Sequence, residues 1–343
     1  MGSTTSSSNR HGGHREPSYP MRHAQHAGSW YSNQRQELDD TLSRYLETAA
    51  ASSTSTRTTT VRALIVPHAG YSYSGPTAAH AYHALAQSLQ QNNNTHGTKI
   101  TKIVVLHPSH HVYLDGCAIS NATVLETPLG NLQVDEEFRQ ELLQTGQFTL
   151  MEQHVDENEH SGELQYPYLA KLLSQSAPTT SNNDDEDVCS TITVTPIMCG
   201  ALSVAQETHY GQILADVLAQ PNVVTVVSSD FCHWGSRFSY RPMDTTTSDQ
   251  KVPIHEYIAQ LDRQGMDLIE LQQPGAFADY LKQTRNTICG RHAIAVWLRA
   301  VNATNDPNIL IQFVKYDQSS AVTAAHESSV SYAAAVATLE PPK

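Results

Sequence analysis

Short apolar segments, rich in β-branched residues and separated by helix-like stretches, leave few folds open to this chain. Most of these segments are apolar at every position, which is typical of strands buried on both faces of a parallel sheet. They lie at residues 61–66, 100–106, 192–197, 223–227, 309–314 and 330–335. Helical stretches are predicted at residues 77–90, 136–145, 163–174, 207–218, 251–271, 276–282 and 293–300. The alternation predicts an α/β fold whose central mixed, mostly parallel sheet is covered by helices.

The segments outside this pattern define the predicted domain boundaries. Residues 1–22 are rich in Ser, Thr and His with few apolar side chains, so we expect a disordered tail before one domain at residues 23–340. Polar stretches at residues 90–98, 177–190 and 302–308 are interpreted as surface insertions. Gly2 and Ser6 fit the N-myristoylation pattern, but the match is so short that we favour chance over acylation.

Charge and cysteine content exclude several classes of function. The formal net charge of −13 argues against nucleic-acid binding, which requires clustered Lys and Arg. No segment approaches the roughly 20 apolar residues of a transmembrane helix. The five cysteines are odd in number, widely spaced and without a CxxC pair, which favours a reducing compartment over a disulfide framework. We expect a cytoplasmic protein, with the nucleus as a second location.

Polar side chains follow three of the predicted strands. His68 follows the first run, His110 and His111 follow the second, and Asp230 and His233 follow the run at residues 223–227. In open α/β sheets, ligands bind at the carboxyl ends of the strands, so we expect these side chains to meet there. Cys289 precedes a predicted helix, whose N-terminus favours a thiolate.

Two imidazoles and one anionic ligand form a facial metal site with open coordination positions. His68 and either His110 or His111 would supply the imidazoles, and the anion would be the Cys289 thiolate or the Asp230 carboxylate. This donor set favours iron(II), copper(I) or zinc over magnesium, which prefers oxygen ligands.

A further polar cluster precedes the predicted helix at residues 163–174. It contains Glu157, Glu159, His160 and Glu163. Acidic residues complement the dipole at a helix start, so we interpret the cluster as structural, with Ser161 as the N-cap.

Together these motifs resemble those of the Memo family, named for mediating ErbB-driven cell motility. The matching segments are residues 26–31, 67–71, 108–111, 159–161, 228–235, 286–292 and 328–334. The resemblance implies a fold similar to that of class III extradiol, non-haem iron dioxygenases. It also implies iron or copper ligated by His68, His111 and Cys289.

The same resemblance implies further properties of the pocket. Asp230 and His233 would line it, and Trp30 and Tyr73 would lie at its mouth. It further implies binding of phosphotyrosine peptides and a part in redox signalling during cell migration. True dioxygenases use a carboxylate where Cys289 stands here, so dioxygenase activity does not follow from the fold.

Four functions remain open from the sequence. The leading interpretation is a regulatory protein that binds iron or copper and acts in redox and cell-motility signalling. A second is a metal-dependent oxidoreductase on an unknown small substrate, with His233 and Asp230 as catalytic groups. A third is an adaptor whose histidines and Arg291 receive a phosphate. A fourth is a cysteine hydrolase that uses Cys289 as its nucleophile. The lack of an oxyanion-hole motif argues against this interpretation.

Overall fold

The computed structural model describes residues 19–52, 60–94, 98–176, 192–242 and 252–339. The described strands are β1 (Met21–Arg22), β2 (Thr60–Val66), β3 (Lys102–Pro108), β4 (Cys117–Ile119), β5 (Val124–Leu125), β6 (Leu132–Gln133), β7 (Phe148–Leu150), β8 (Thr193–Cys199), β9 (Val223–Ser228), β10 (His233–Trp234), β11 (Ile309–Gln318) and β12 (Ser329–Leu339). The described helices are α1 (Arg35–Ser52), α2 (Tyr71–Asn94), α3 (Glu136–Gln144), α4 (Gln153–Asn158), α5 (His160–Glu163), α6 (Tyr166–Ser176), α7 (Val204–Leu218), α8 (Ile254–Glu270), α9 (Pro274–Thr284) and α10 (Arg291–Thr304).

Within these residues, nine strands form one mixed sheet. Its order is β10-β12-β2-β9-β3-β8-β4-β7, and β11 pairs with β12 outside this path. The central strands β2, β9, β3 and β8 are mutually parallel, whereas β12 and β4 flank them in antiparallel orientation. The predicted α/β fold with a mixed, mostly parallel sheet is therefore confirmed. A separate small sheet joins β1, β5 and β6.

The central strands are apolar on both sides because helices cover both faces of the sheet. Along β2, Ala63 and Ile65 belong to one buried cluster, while Leu64 and Val66 belong to the other. Helices α7, α8, α9 and α10 contribute to the first cluster, and α1, α2 and α6 contribute to the second. This two-sided burial explains the continuous apolar runs in the sequence.

Several predicted boundaries change. Helix α2 begins at Tyr71, earlier than predicted, with Pro76 inside it. The helix predicted at residues 163–174 is two elements, α5 and α6. Residues 1–18, the insertion at 177–190 and residues 95–97 of the insertion at 90–98 lie outside the described residues, as does Gly2. None of the described helices is long and apolar enough to span a bilayer.

The end of the predicted tail belongs to the fold. Arg22 is buried, pairs with β5 through the strand β1, and forms ion pairs with Asp156 (2.8 Å) and Glu163 (2.7 Å). Tyr19 is also buried and donates a hydrogen bond to Asp156. The boundary predicted at residue 22 is thus too late. The low apolar content of this segment did not predict its burial, because the burial of Arg22 is accompanied by ion pairs, which apolar content does not measure.

Candidate metal centre

The predicted clustering of polar groups at one edge of the sheet follows from the strand directions. Strands β2, β9 and β3 are adjacent and parallel, so the segments after Val66, Ser228 and Pro108 emerge at the same edge. Their side chains meet the segment that precedes α10, although these parts are far apart in the sequence.

Three ligand-type side chains converge at this edge: His68, His110 and Cys289. One potential ligand atom from each lies within 4.8 Å of the others. Nε2 of His68 is 3.1 Å from the Cys289 sulfur, and the rings of His68 and His110 are 5.2 Å apart between centroids. These distances place two imidazoles and one thiol around a common point.

Hydrogen bonds fix the orientation of the buried His68 ring. Ser228 Oγ donates to the Ser161 carbonyl and accepts from Gln165 Nε2, so its remaining lone pair accepts from His68 Nδ1 at 2.8 Å. Nδ1 therefore carries the proton, and Nε2 presents its lone pair toward Cys289. Burial, followed by the charge of His110, lowers the pKa of His68 well below its ordinary value. The ring is thus neutral, as a metal ligand must be.

The carboxylate of Glu159 positions His110 in a comparable way. Its two oxygens accept hydrogen bonds from the His110 backbone N–H (2.6 Å) and from His110 Nδ1 (2.8 Å). This contact leaves Nε2 for the cluster, the arrangement common in metal-ligating histidines. Burial lowers the pKa of His110, but interactions with Cys289 and Glu159 outweigh it and raise the pKa to about 10. A bound cation would replace that ring proton.

The structure places His110, in place of the predicted His111, in the three-residue group. Both residues are exposed, but the His110 side chain is 26% exposed and is held by Glu159, whereas the His111 ring lies 5.9 Å from the His160 ring between centroids and is not in the group. The physical reason is that the bidentate contact with Glu159 turns the first histidine of the pair inward.

Cys289 occupies the predicted position just before a helix. Gly290 is the N-cap of α10, and a β-carbon on it would lie 2.4 Å from the Ser228 carbonyl oxygen. Only glycine permits this close approach, which brings Cys289 against the end of β9. The Cys289 sulfur also lies 3.6 Å from the Asp230 carbonyl oxygen.

Asp230 and His233 lie beside the group without belonging to it. The buried Asp230 carboxylate accepts a hydrogen bond from the His68 backbone N–H at 2.8 Å, and burial raises its pKa. His233 Nδ1 is within 3.0 Å of the Phe231 and Thr287 carbonyl oxygens, which can only accept. His233 Nε2 is therefore the unprotonated nitrogen, suited to act as a base.

A cavity of about 660 Å³ adjoins the group. His68, Asp230 and His233 line it, and so do the exposed predicted rim residues Trp30 and Tyr73. The fourth predicted ligand-binding residue, Arg291, lines a different groove with His292 and Lys282.

His160 and Glu159 are the site residues that the sequence reasoning assigned to structure alone. The His160 ring stacks between Trp30 (4.3 Å) and His110 (4.6 Å), and burial followed by the charge of His110 lowers its pKa to about 3. Glu159, in place of the predicted Ser161, is the N-cap of α5 and accepts from the Ser161 N–H. The motif at residues 159–161, one of the segments that resemble the Memo family, is the sequence feature that could have indicated their place in the site.

The donors fit a borderline or soft metal ion. Two imidazole rings held through Nδ1 and one thiol converge, which suits iron, copper or zinc better than magnesium. A second group, His110, Glu159 and His160, also brings ligand atoms within 4.8 Å of one another. In it, both oxygens of Glu159 already accept hydrogen bonds from backbone N–H groups, those of His110 and Ser161. The first group is therefore the better candidate.

Comparisons with known proteins agree with these motifs. A family model described as Memo-like protein matches residues 22–336. The protein memo-1 homolog of Caenorhabditis elegans is 40% identical over 93% of this chain and 83% of its own length. Protein MEMO1 of Homo sapiens is 39% identical over 93% of this chain and 97% of its own. The solved structure of the uncharacterized protein JW3007 from Escherichia coli covers 79% of this chain and 98% of its own, at 13% identity and a TM-score of 0.43.

Proposed function

This chain belongs to the Memo family, and on that premise we propose that it is a metal-binding regulatory protein. It would hold one iron or copper ion with His68, His110 and Cys289 and act in redox and cell-motility signalling. A cytoplasmic location, with the nucleus as a second one, is part of this proposal.

The observation that carries the metal assignment is the convergence of two imidazole rings and one thiol, with Nδ1 of both rings already engaged in hydrogen bonds. Ser228 accepts from Nδ1 of His68, whose Nε2 lies against the Cys289 sulfur, and Glu159 accepts from Nδ1 of His110, which leaves Nε2 of that ring for the ion. Outer contacts of this kind orient metal ligands and increase their basicity.

A bound iron or copper ion would supply one-electron redox chemistry at this edge of the sheet. The chain's own residues would hold it with three ligands and leave the remaining positions open toward the cavity. Asp230 would fix the backbone of the His68 loop through its hydrogen bond to the His68 N–H. The signalling role rests on the family resemblance alone.

Metal analysis of the untagged protein tests the proposal. We expect about one equivalent of iron or copper per chain after expression with either metal, measured by mass spectrometry. Cys289→Ala should lose most of this metal, whereas Asp230→Ala should retain more. If Cys289→Ala binds metal as tightly as wild type while Asp230→Ala does not, the anionic ligand is Asp230 and the assignment of the thiolate fails.

A second candidate function is a metal-dependent oxidoreductase. The supporting observation is the cavity beside the group, into which His233 and Asp230 bring a base and a carboxylate. In that case His233 Nε2 would accept a proton from a small substrate bound in the cavity. Oxygen uptake by the iron-loaded protein with candidate aromatic substrates tests this alternative, with His233→Gln as the variant that should lose turnover but keep metal.

A further inference from the structure

A second cavity lies away from the metal centre, toward the amino-terminal ends of β2 and β9. Its volume is about 210 Å³. Its walls come from α7, α10, β11 and β12 as well as the central strands, and they are mostly apolar. The apolar lining includes Ala63, Leu218, Trp297, Ala300, Val301 and Ile309.

One charged side chain is buried in this wall. Arg62 is only 6% exposed and belongs to β2. Its Nη2 donates to the carbonyl oxygens of Leu218 and Gln220. Its Nη1 is buried and has no hydrogen-bond partner among the residues that the structure describes. Leaving a buried guanidinium N–H without an acceptor costs free energy of folding. Nη1 therefore favours a ligand that brings an oxygen acceptor into the cavity.

We propose that this cavity binds a small carboxylic acid with an apolar tail, whose carboxylate accepts a hydrogen bond from Arg62 Nη1. The volume suits a molecule of roughly ten non-hydrogen atoms, since an apolar cavity of about 150 Å³ holds benzene. A medium-chain acid such as octanoate has this size. An apolar lining with one well-placed charged group is the usual composition of a small-molecule site.

The surroundings of Arg62 explain why the acceptor should be anionic. Nη2 is already occupied by two carbonyls, so the two N–H groups of Nη1 are the buried donors left for the ligand, and a carboxylate oxygen can accept from either of them. Burial lowers the pKa of Arg62, and Asp306 opposes that effect through space. A ligand carboxylate would add a second negative charge that favours the guanidinium.

Asp306 is the second charged residue in the wall of this cavity, and its charge also acts on Arg62. It lines the cavity, and its Oδ1 accepts from the backbone N–H and side-chain amide of Asn308 within the loop after α10. Its negative charge would repel a carboxylate placed beside it. The ligand is therefore oriented with its carboxylate at Arg62 and its tail along Trp297 and Val301.

Calorimetric titration of the purified full chain with octanoate, and separately with octanol, tests the proposal. We expect octanoate to bind one site and to bind at least about tenfold more tightly than octanol, as one charge-assisted hydrogen bond would give. Absence of octanoate binding, or equal binding of octanol, would overturn it. The comparison uses wild-type protein and depends on no variant being folded.

Four variants test whether octanoate binds in this cavity. Ala300→Leu places an isobutyl group inside it and should weaken octanoate binding at least about tenfold while leaving metal content unchanged. Asp306→Asn removes the like charge and should tighten octanoate binding. Arg62→Met should abolish the preference for octanoate over octanol, whereas Arg35→Met, on the exposed start of α1, should keep it. Unchanged affinity in Ala300→Leu would place the ligand elsewhere and refute the assignment.

Discussion

The Cys289 sulfur lies 3.1 Å from Nε2 of His68, although 221 positions separate the two residues in the chain. No short peptide can reproduce this contact, because it depends on β2 and β9 being adjacent in the sheet and on α10 starting beside them. Metal binding should therefore stabilise the folded protein by mass action, since the unfolded chain lacks the assembled site.

The two adjacent histidines at positions 110 and 111 should differ sharply in their effect on metal. His110→Ala removes one of three candidate ligands and should cost more than the roughly 10–100-fold loss typical of an outer contact. His111→Ala changes an exposed neighbour and should leave affinity within about twofold of wild type, in keeping with the small effects of ordinary surface changes. Titration of metal-free protein with iron(II) or copper(I) measures both. A larger loss of affinity in His111→Ala than in His110→Ala would show that the imidazole ligand is His111, as the family resemblance implies.

Glu159 should act as a positioning residue for His110. Glu159→Gln places an amide N–H₂ against one of the two N–H donors of His110, so the ring should lose its fixed orientation. We expect a loss of about 10–100-fold in metal affinity. The matched control is Glu157→Gln, which alters a half-buried glutamate that accepts from His23 and Gln153. Equal affinities of the two variants would show that Glu159 has only its capping role.

Much of this site could be predicted from the sequence. Sequence motifs next to predicted strands located the site at one edge of the sheet and identified His68. The motif before a predicted helix identified Cys289. The choice between His110 and His111 could not follow, because it depends on Glu159, 49 positions away. The polar cluster at residues 157–163 was interpreted as the start of a helix with Ser161 as its N-cap, whereas Glu159 caps the short helix α5 and the same carboxylate also holds His110. A local pattern cannot reveal such a double role.

Cys289 should be the first of the described cysteines to react with iodoacetamide in metal-free protein. It is partly exposed, so iodoacetamide can reach its sulfur. Cys117, Cys199 and Cys232 are buried, and burial raises the pKa of the Cys117 and Cys232 thiols. Peptide mass spectrometry over time measures the order, and added metal should slow only Cys289. Labelling of Cys117 or Cys199 at the same rate would contradict this account.

Asp262 should make the unfolding free energy depend on pH. It is fully buried and accepts hydrogen bonds from the Cys232 N–H, Asn286 Nδ2 and the Tyr316 hydroxyl, but burial outweighs these and raises its pKa from 3.8 to about 6. The folded state therefore binds the proton more tightly than the unfolded state. This contribution to stability is fully present below about pH 4 and is lost as the pH rises through about 6, a change of about 3 kcal/mol. Urea denaturation of metal-free protein across this pH range measures each unfolding free energy relative to that of Asp262→Asn, because other shifted groups such as His160 titrate in both proteins. Relative to Asp262→Asn, wild type and the control Asp279→Asn, on the exposed surface of α9, should both show this loss as the pH rises. If the difference between wild type and Asp262→Asn is the same at every pH, Asp262 titrates alike in the folded and unfolded chain.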